Sequence, residues 1–179
     1  MRLDFSGGRL VSRAAAADDL MRFSTQYDGA DVEVDLGDNL AMTSWVDGCL
    51  VEIARIVAAA QARLIVYATD AETREHIDFV FHRRSLALTV GYTRASVAAG
   101  ELEVFGEVSM ATRQILDILI RSGETSVADL ADDLGITVEA AQQRLNGLLG
   151  AGLVVRKKNS RAFVYGLIRS SAEQEIAVA

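Results

Sequence analysis

The spacing of apolar positions changes several times along the chain, and each change marks an element. Leu3 to Phe5 and Arg9 to Val11 flank Ser6-Gly7-Gly8, where glycine supplies the positive backbone angles of a tight turn, so a β-hairpin is predicted at the start. From Arg13 to Phe23 the positions Ala16, Leu20 and Phe23 recur at helical spacing, whereas Val32-Glu33-Val34-Asp35-Leu36 alternates with period two. A long helix is predicted from Ser44 to Ala62, with Val46, Cys49, Leu50, Ile53, Val57 and Ala60 forming one apolar stripe. Leu64 to Tyr67 is the continuous apolar run of a buried parallel strand, Asp70 is placed to cap a helix running through His82, and Leu86 to Val90 reads as another strand. Strands separated by helices need crossover connections, which makes residues 1–104 an α/β domain with a mostly parallel sheet. The pattern leaves Thr93 to Gly106 open: Ala98-Ala99-Gly100 marks a break, and Leu102 to Phe105 fits an edge strand or a connector.

Beyond residue 105 the pattern is helical and then a hairpin. Ala111, Ile115, Ile118 and Leu119 share one helix face that ends near Ser122-Gly123. Ser126 opens a capping-box variant in which Asp129 replaces the usual glutamate, and Val127, Leu130, Ala131 and Leu134 continue a short amphipathic helix closed by Gly135. Thr137 caps the next helix, with Ala141, Leu145, Leu148 and Leu149 facing inward. Two short helices joined by a glycine-containing turn are a helix-turn-helix, whose second helix is shaped to enter a major groove. Gly152 to Arg156, the polar turn Lys157-Lys158-Asn159-Ser160, and Arg161 to Leu167 then form a hairpin with a basic tip. The fold expected for residues 105–169 is therefore a winged helix-turn-helix, with residues 170–179 as a flexible tail.

Charge changes this picture in one respect. The net charge of −7 disfavours a polyanionic partner for the chain as a whole. Its distribution is uneven, because residues 1–107 hold 10 arginines and 17 acids while residues 108–179 hold 8 basic and 8 acidic residues. Arg156, Lys157, Lys158 and Arg161 fall together without an intervening acid, the arrangement that phosphate contact requires.

The run from Ser126 to Val154 resembles bacterial winged-helix repressors of the arsenic-sensing and multiple-antibiotic-resistance types. Carried over by position, the resemblance implies that Val138, Glu139, Gln142 and Gln143 face base edges, with Asn146 nearer the backbone. It also implies that Arg156, Lys157, Lys158, Asn159 and Arg161 form the wing, and that the protein binds double-stranded DNA as a homodimer. Glutamine reads adenine through two hydrogen bonds, so Gln142 and Gln143 are the specificity candidates. Arg144 is the only base on this helix and is balanced by Glu139. A winged helix also serves as a protein-docking module, and a basic turn is also a plain solvated turn.

Gly8 to Arg13, Val32 to Leu36 and Met42 to Asp47 are similar to STAS-like domains related to anti-anti-sigma factors, over residues 8–92. That likeness implies a domain for partner binding, sensing or self-association, and places Ser44 where phosphorylated members carry their switch serine. A helix N-terminus stabilises added phosphate. The plainer reading is that Thr43 or Ser44 caps the helix. The alternative function is thus an anti-anti-sigma-like protein-interaction switch in which the winged helix docks protein.

Other chemistry is absent from the pattern. Cys49, His76 and His82 are too scattered for a closed metal site, and Cys49 lies on the apolar stripe. Neither a phosphate-cradling glycine loop nor a dinucleotide fingerprint occurs, so no cofactor, catalytic residue or enzymatic activity is expected. No uninterrupted apolar run is long enough for a membrane span, and the opening residues lack a secretory signal. With one cysteine in the chain, these features point to the cytoplasm.

Overall fold

Alternation in Val32 to Leu36 buries Val32, Val34 and Leu36 on one face of a strand, and that strand organises the first half of the protein. The computed structural model describes residues 1–5, 10–60, 62–99, 101–150, 153–159 and 162–167. The first half runs β1 (Arg2–Asp4), α1 (Arg13–Gln26), β2 (Val32–Gly37), α2 (Thr43–Trp45), a π-helical turn (Val46–Leu50), α3 (Val51–Ala59), β3 (Leu64–Ala68), α4 (Ala71–Arg83), β4 (Ala87–Gly91), α5 (Arg94–Ala98) and β5 (Leu102–Gly106). The five strands form one sheet in the order β1-β2-β3-β4-β5, parallel except for the antiparallel β4–β5 pair. The α/β expectation therefore holds, and the open stretch resolves into α5 and an antiparallel edge strand.

The predicted opening hairpin does not form. Leu3 pairs in parallel with Val34, while Leu10 makes a single parallel bridge to Ala41 on the far side of α1. A three-residue strand has too little apolar surface to hold a hairpin alone, and the edge of β2 lets Phe5 reach the core. The expected turn, residues 6–9, lies outside the described residues.

The predicted long helix forms from Thr43 to Ala59, with the π-helical turn inserted. One extra residue per turn shifts the helix phase, so Trp45, Val46, Cys49, Leu50 and Val51 are all buried, whereas Ala60 is exposed. Gly48 permits the close approach of α1, since a Cβ there would lie 3.1 Å from the Cβ of Ala16. Helices α1, α3 and α4 share one core with Val34, Val66 and Val90. On the opposite face Ile65 and Tyr67 meet Val97, Leu102 and Val155.

The second half runs α6 (Met110–Ser122), β6 (Glu124–Ser126), α7 (Val127–Leu134), α8 (Val138–Gly150), β7 (Val154–Asn159) and β8 (Ala162–Leu167). Its three strands pair antiparallel in the order β6-β8-β7. Ile115, Leu119, Leu130, Leu145, Leu148 and Tyr165 form a core separate from the first. β5 spans the expected boundary at residue 104 and pairs within the first sheet. The exit from β5 needs glycine: Gly106 has φ +90°, and a Cβ there would lie 2.1 Å from the Leu86 carbonyl oxygen. Among the described residues, no helix is long and apolar enough to cross a membrane.

Candidate nucleic-acid interface

Local chemistry fixes the start and stop of each helix in the second half. The Ser126 hydroxyl accepts the Asp129 backbone N–H at 3.1 Å and donates to the Asp129 carboxylate at 2.7 Å, which caps α7. Gly135, with φ +62°, ends α7 in the left-handed conformation, and Thr137 Oγ1 accepts the Ala140 N–H at 3.2 Å to start α8. The turn between the two helices is thus Gly135-Ile136-Thr137.

α8 buries Ala141, Leu145 and Leu148 and leaves Val138, Glu139, Gln143, Asn146 and Gly147 exposed. The two glutamines differ. Gln142 is half-buried, and its Nε2 donates to Asn146 Oδ1 and to the Tyr165 hydroxyl, both at 2.9 Å. The Gln143 side chain is exposed, on the side of α8 that, with Arg144 and Gly147, borders a cleft facing α3.

Alternation along β7 sorts the residues expected to form a wing. Arg156 pairs with Tyr165 and Lys158 with Phe163, so these two cations share the face that Val154 and Tyr165 turn to the core beside α8. The Arg156 guanidinium stacks over the Phe163 ring at 4.6 Å. Lys157 belongs to the other face, with Val155, and its Nζ is 2.9 Å from the Glu124 carboxylate. Asn159 is exposed at the end of β7, and Arg161 lies outside the described residues, as does the tail from 170.

The residues singled out in the first half are placed differently. Met42, not Thr43 or Ser44, occupies the cap position of α2, and no side chain caps it. Half-buried Ser44 instead donates to the Val11 carbonyl at 3.3 Å, since Thr43 and Ser44 are already inside the helix. Cys49 is buried in the predicted stripe, where desolvation pushes its pKa up to about 12 and keeps it a thiol. His76 contacts the Ala41 carbonyl through Nδ1 at 2.9 Å.

The residue pattern alone does not separate Gln142 from Gln143 or point to Glu124 and Tyr165, because both contacts join residues far apart in the chain. The chain matches no protein-family model, and a search of curated proteins finds no match.

Proposed function

We propose that this protein is a DNA-binding transcriptional regulator whose residues 105–169 act as a winged helix-turn-helix. α8 is the recognition helix and the β7–β8 hairpin is the wing. The observation that carries this reading is the pairing of Arg156 and Lys158 on the strand face that meets α8 through Gln142 and Tyr165, while Val138, Glu139 and Gln143 of α8 are exposed. Cations flanking an exposed helix match the division of labour in which phosphate contacts position and base contacts specify. The element order, helix, short strand, helix, three-residue turn, helix and two-stranded hairpin, supports the same reading.

Residues 1–104 serve in this reading as a STAS-like unit for partner binding, sensing or self-association. A recognition helix carrying Glu139 against Arg144 supplies little net attraction to phosphate, so binding as a homodimer on paired half-sites compensates. A cytoplasmic location follows from the DNA reading. Sequencing of genomic fragments recovered with the purified protein tests it: enrichment of a small set of sites supports regulation, and a uniform background overturns it.

One observation favours a second reading. Gln143, Arg144 and Gly147 border a cleft with α3, which supports a role for this side of α8 in protein contact. In that reading the chain is a protein-interaction switch set by Ser44. Absence of phosphate at Ser44 in protein from its native host, with partner capture unchanged by Ser44→Asp, removes it.

A further inference from the structure

One face of α6 is left uncovered by the described residues. Ile115, Leu116, Ile118 and Leu119 hold its inner side in the core of the second half. Met110, Arg113, Gln114, Asp117, Ile120 and Arg121 are exposed on the outer side, a stripe recurring every three or four residues over about 15 Å of helix. Met110 is 75% exposed and Ile120 42%, and no other described helix holds two exposed large hydrophobic side chains. Single apolar residues on a surface are ordinary, but two on one face beside two unpaired charges form a pattern that a partner can match. The Arg113 and Asp117 side chains form no ion pair among the described residues, although they stand one turn apart.

The order of these residues fits a second copy of the same face. In an antiparallel helix pair, a two-fold axis at the level of Ile115 brings Met110 of one copy against Ile120 of the other and Arg113 against Asp117, because both pairs are centred on residue 115. A parallel pair would set Arg113 against Arg113 and Asp117 against Asp117, so the charges select the antiparallel arrangement. The seven-residue spacing of Met110 to Asp117 and of Arg113 to Ile120 keeps both rows on one seam, as in helices crossing at about 20°.

We infer that α6 is the self-association surface of this protein, pairing antiparallel with α6 of a second copy through Met110–Ile120 and Arg113–Asp117 contacts. One pair of 13-residue helices buries less than the roughly 1,200 Å² from which stable complexes start, so the dimer exchanges with monomer at micromolar concentrations. The pairing deepens the homodimer of the regulator reading and rests on that reading for its role: the same axis relates the two α8 helices that address paired half-sites.

Sedimentation of the full chain without DNA, from about 1 to about 500 µM, tests this pairing. The parent should pass from monomer to dimer across that range. Arg113→Asp sets like charges against each other at both ionic contacts, as does Asp117→Arg, and each should weaken association about tenfold or more. An equimolar mixture of the two variants restores opposite charges at both contacts, so it should form a heterodimer of parental affinity. Both positions are exposed, which leaves the fold intact, and recovery in the mixture requires folded chains. Ile120→Lys, read in the same way, decides if either charge variant fails to melt cooperatively. A parent that stays monomeric, association unchanged in the single variants, or a mixture no stronger than either variant alone overturns the α6 pairing. DNA affinity is measured separately, so dimer formation without DNA binding removes the regulator reading alone, and DNA binding by a chain that stays monomeric removes the α6 pairing alone.

Discussion

Gln142 of α8 donates to the hydroxyl of Tyr165 on β8 at 2.9 Å, which ties α8 to the second strand of the β7–β8 hairpin. This contact separates two glutamines that neighbour each other in sequence. Gln142 is occupied within the protein, whereas Gln143 is exposed. Gln143→Ala should therefore lose about 1–3 kcal/mol of discrimination between cognate and substituted operator, with little change in melting temperature. Tyr165→Phe should instead lower stability by about 1 kcal/mol, because it leaves a half-buried amide with one fewer partner. Competition binding and thermal unfolding of both variants check this division.

The wing cations should also differ. Arg156→Ala with Lys158→Ala removes two charges from the face beside α8 and should reduce the dependence of log affinity on log salt by about two. Lys157→Ala should change that slope less, because its charge is already matched by Glu124. Glu124→Gln should strengthen DNA binding by releasing Lys157. The exposed pair itself contributes only about 0–1 kcal/mol to stability, so both Lys157→Ala and Glu124→Gln should melt close to the parent.

The parts of this protein written in local pattern were legible in the sequence. Period-two alternation located β2, the Asp70 cap located α4, and the Ser126 and Gly135 signals located α7 and its turn. What stayed hidden depends on partners distant in the chain. Nothing in Leu3 to Phe5 specifies a parallel partner, so the neighbouring glycines read as a hairpin turn. The π-helical turn carries Gly48, whose missing Cβ would lie 3.1 Å from the Cβ of Ala16, a contact between residues far apart in the chain. The candidate site was legible as a set of residue types, but its sorting rests on Tyr165, Glu124 and α3, each set by tertiary packing.

Gly106 should tolerate no side chain. Gly106→Ala would drive a Cβ to 2.1 Å from the Leu86 carbonyl oxygen in a left-handed conformation that disfavours alanine. A loss of about 2 kcal/mol or more is expected on denaturant unfolding. Gly147→Ala should be tolerated, because its Cβ meets nothing within 4 Å.

Acid should weaken the tie between the π-helical turn and α4. Asp47 accepts two hydrogen bonds from Arg84, at 2.6 and 2.7 Å, and these bonds hold its carboxyl below the usual aspartate range. A depressed folded-state pKa contributes stability above the unfolded value of about 3.9. That contribution is lost as pH falls through the lower folded value. Melting temperature should therefore fall as pH drops below about 4, and Asp47→Asn should flatten that part of the profile.

The most direct test of DNA recognition by α8 and the β7–β8 wing is fluorescence anisotropy of the full chain with a duplex carrying a recovered site. The titration is repeated over a salt series for the parent, Gln143→Ala and the Arg156→Ala, Lys158→Ala variant. Saturable, site-preferring binding is expected, with preference lost in the first variant and a salt slope reduced by about two in the second. Binding that is absent, or that both variants leave unchanged in preference and slope, would contradict it.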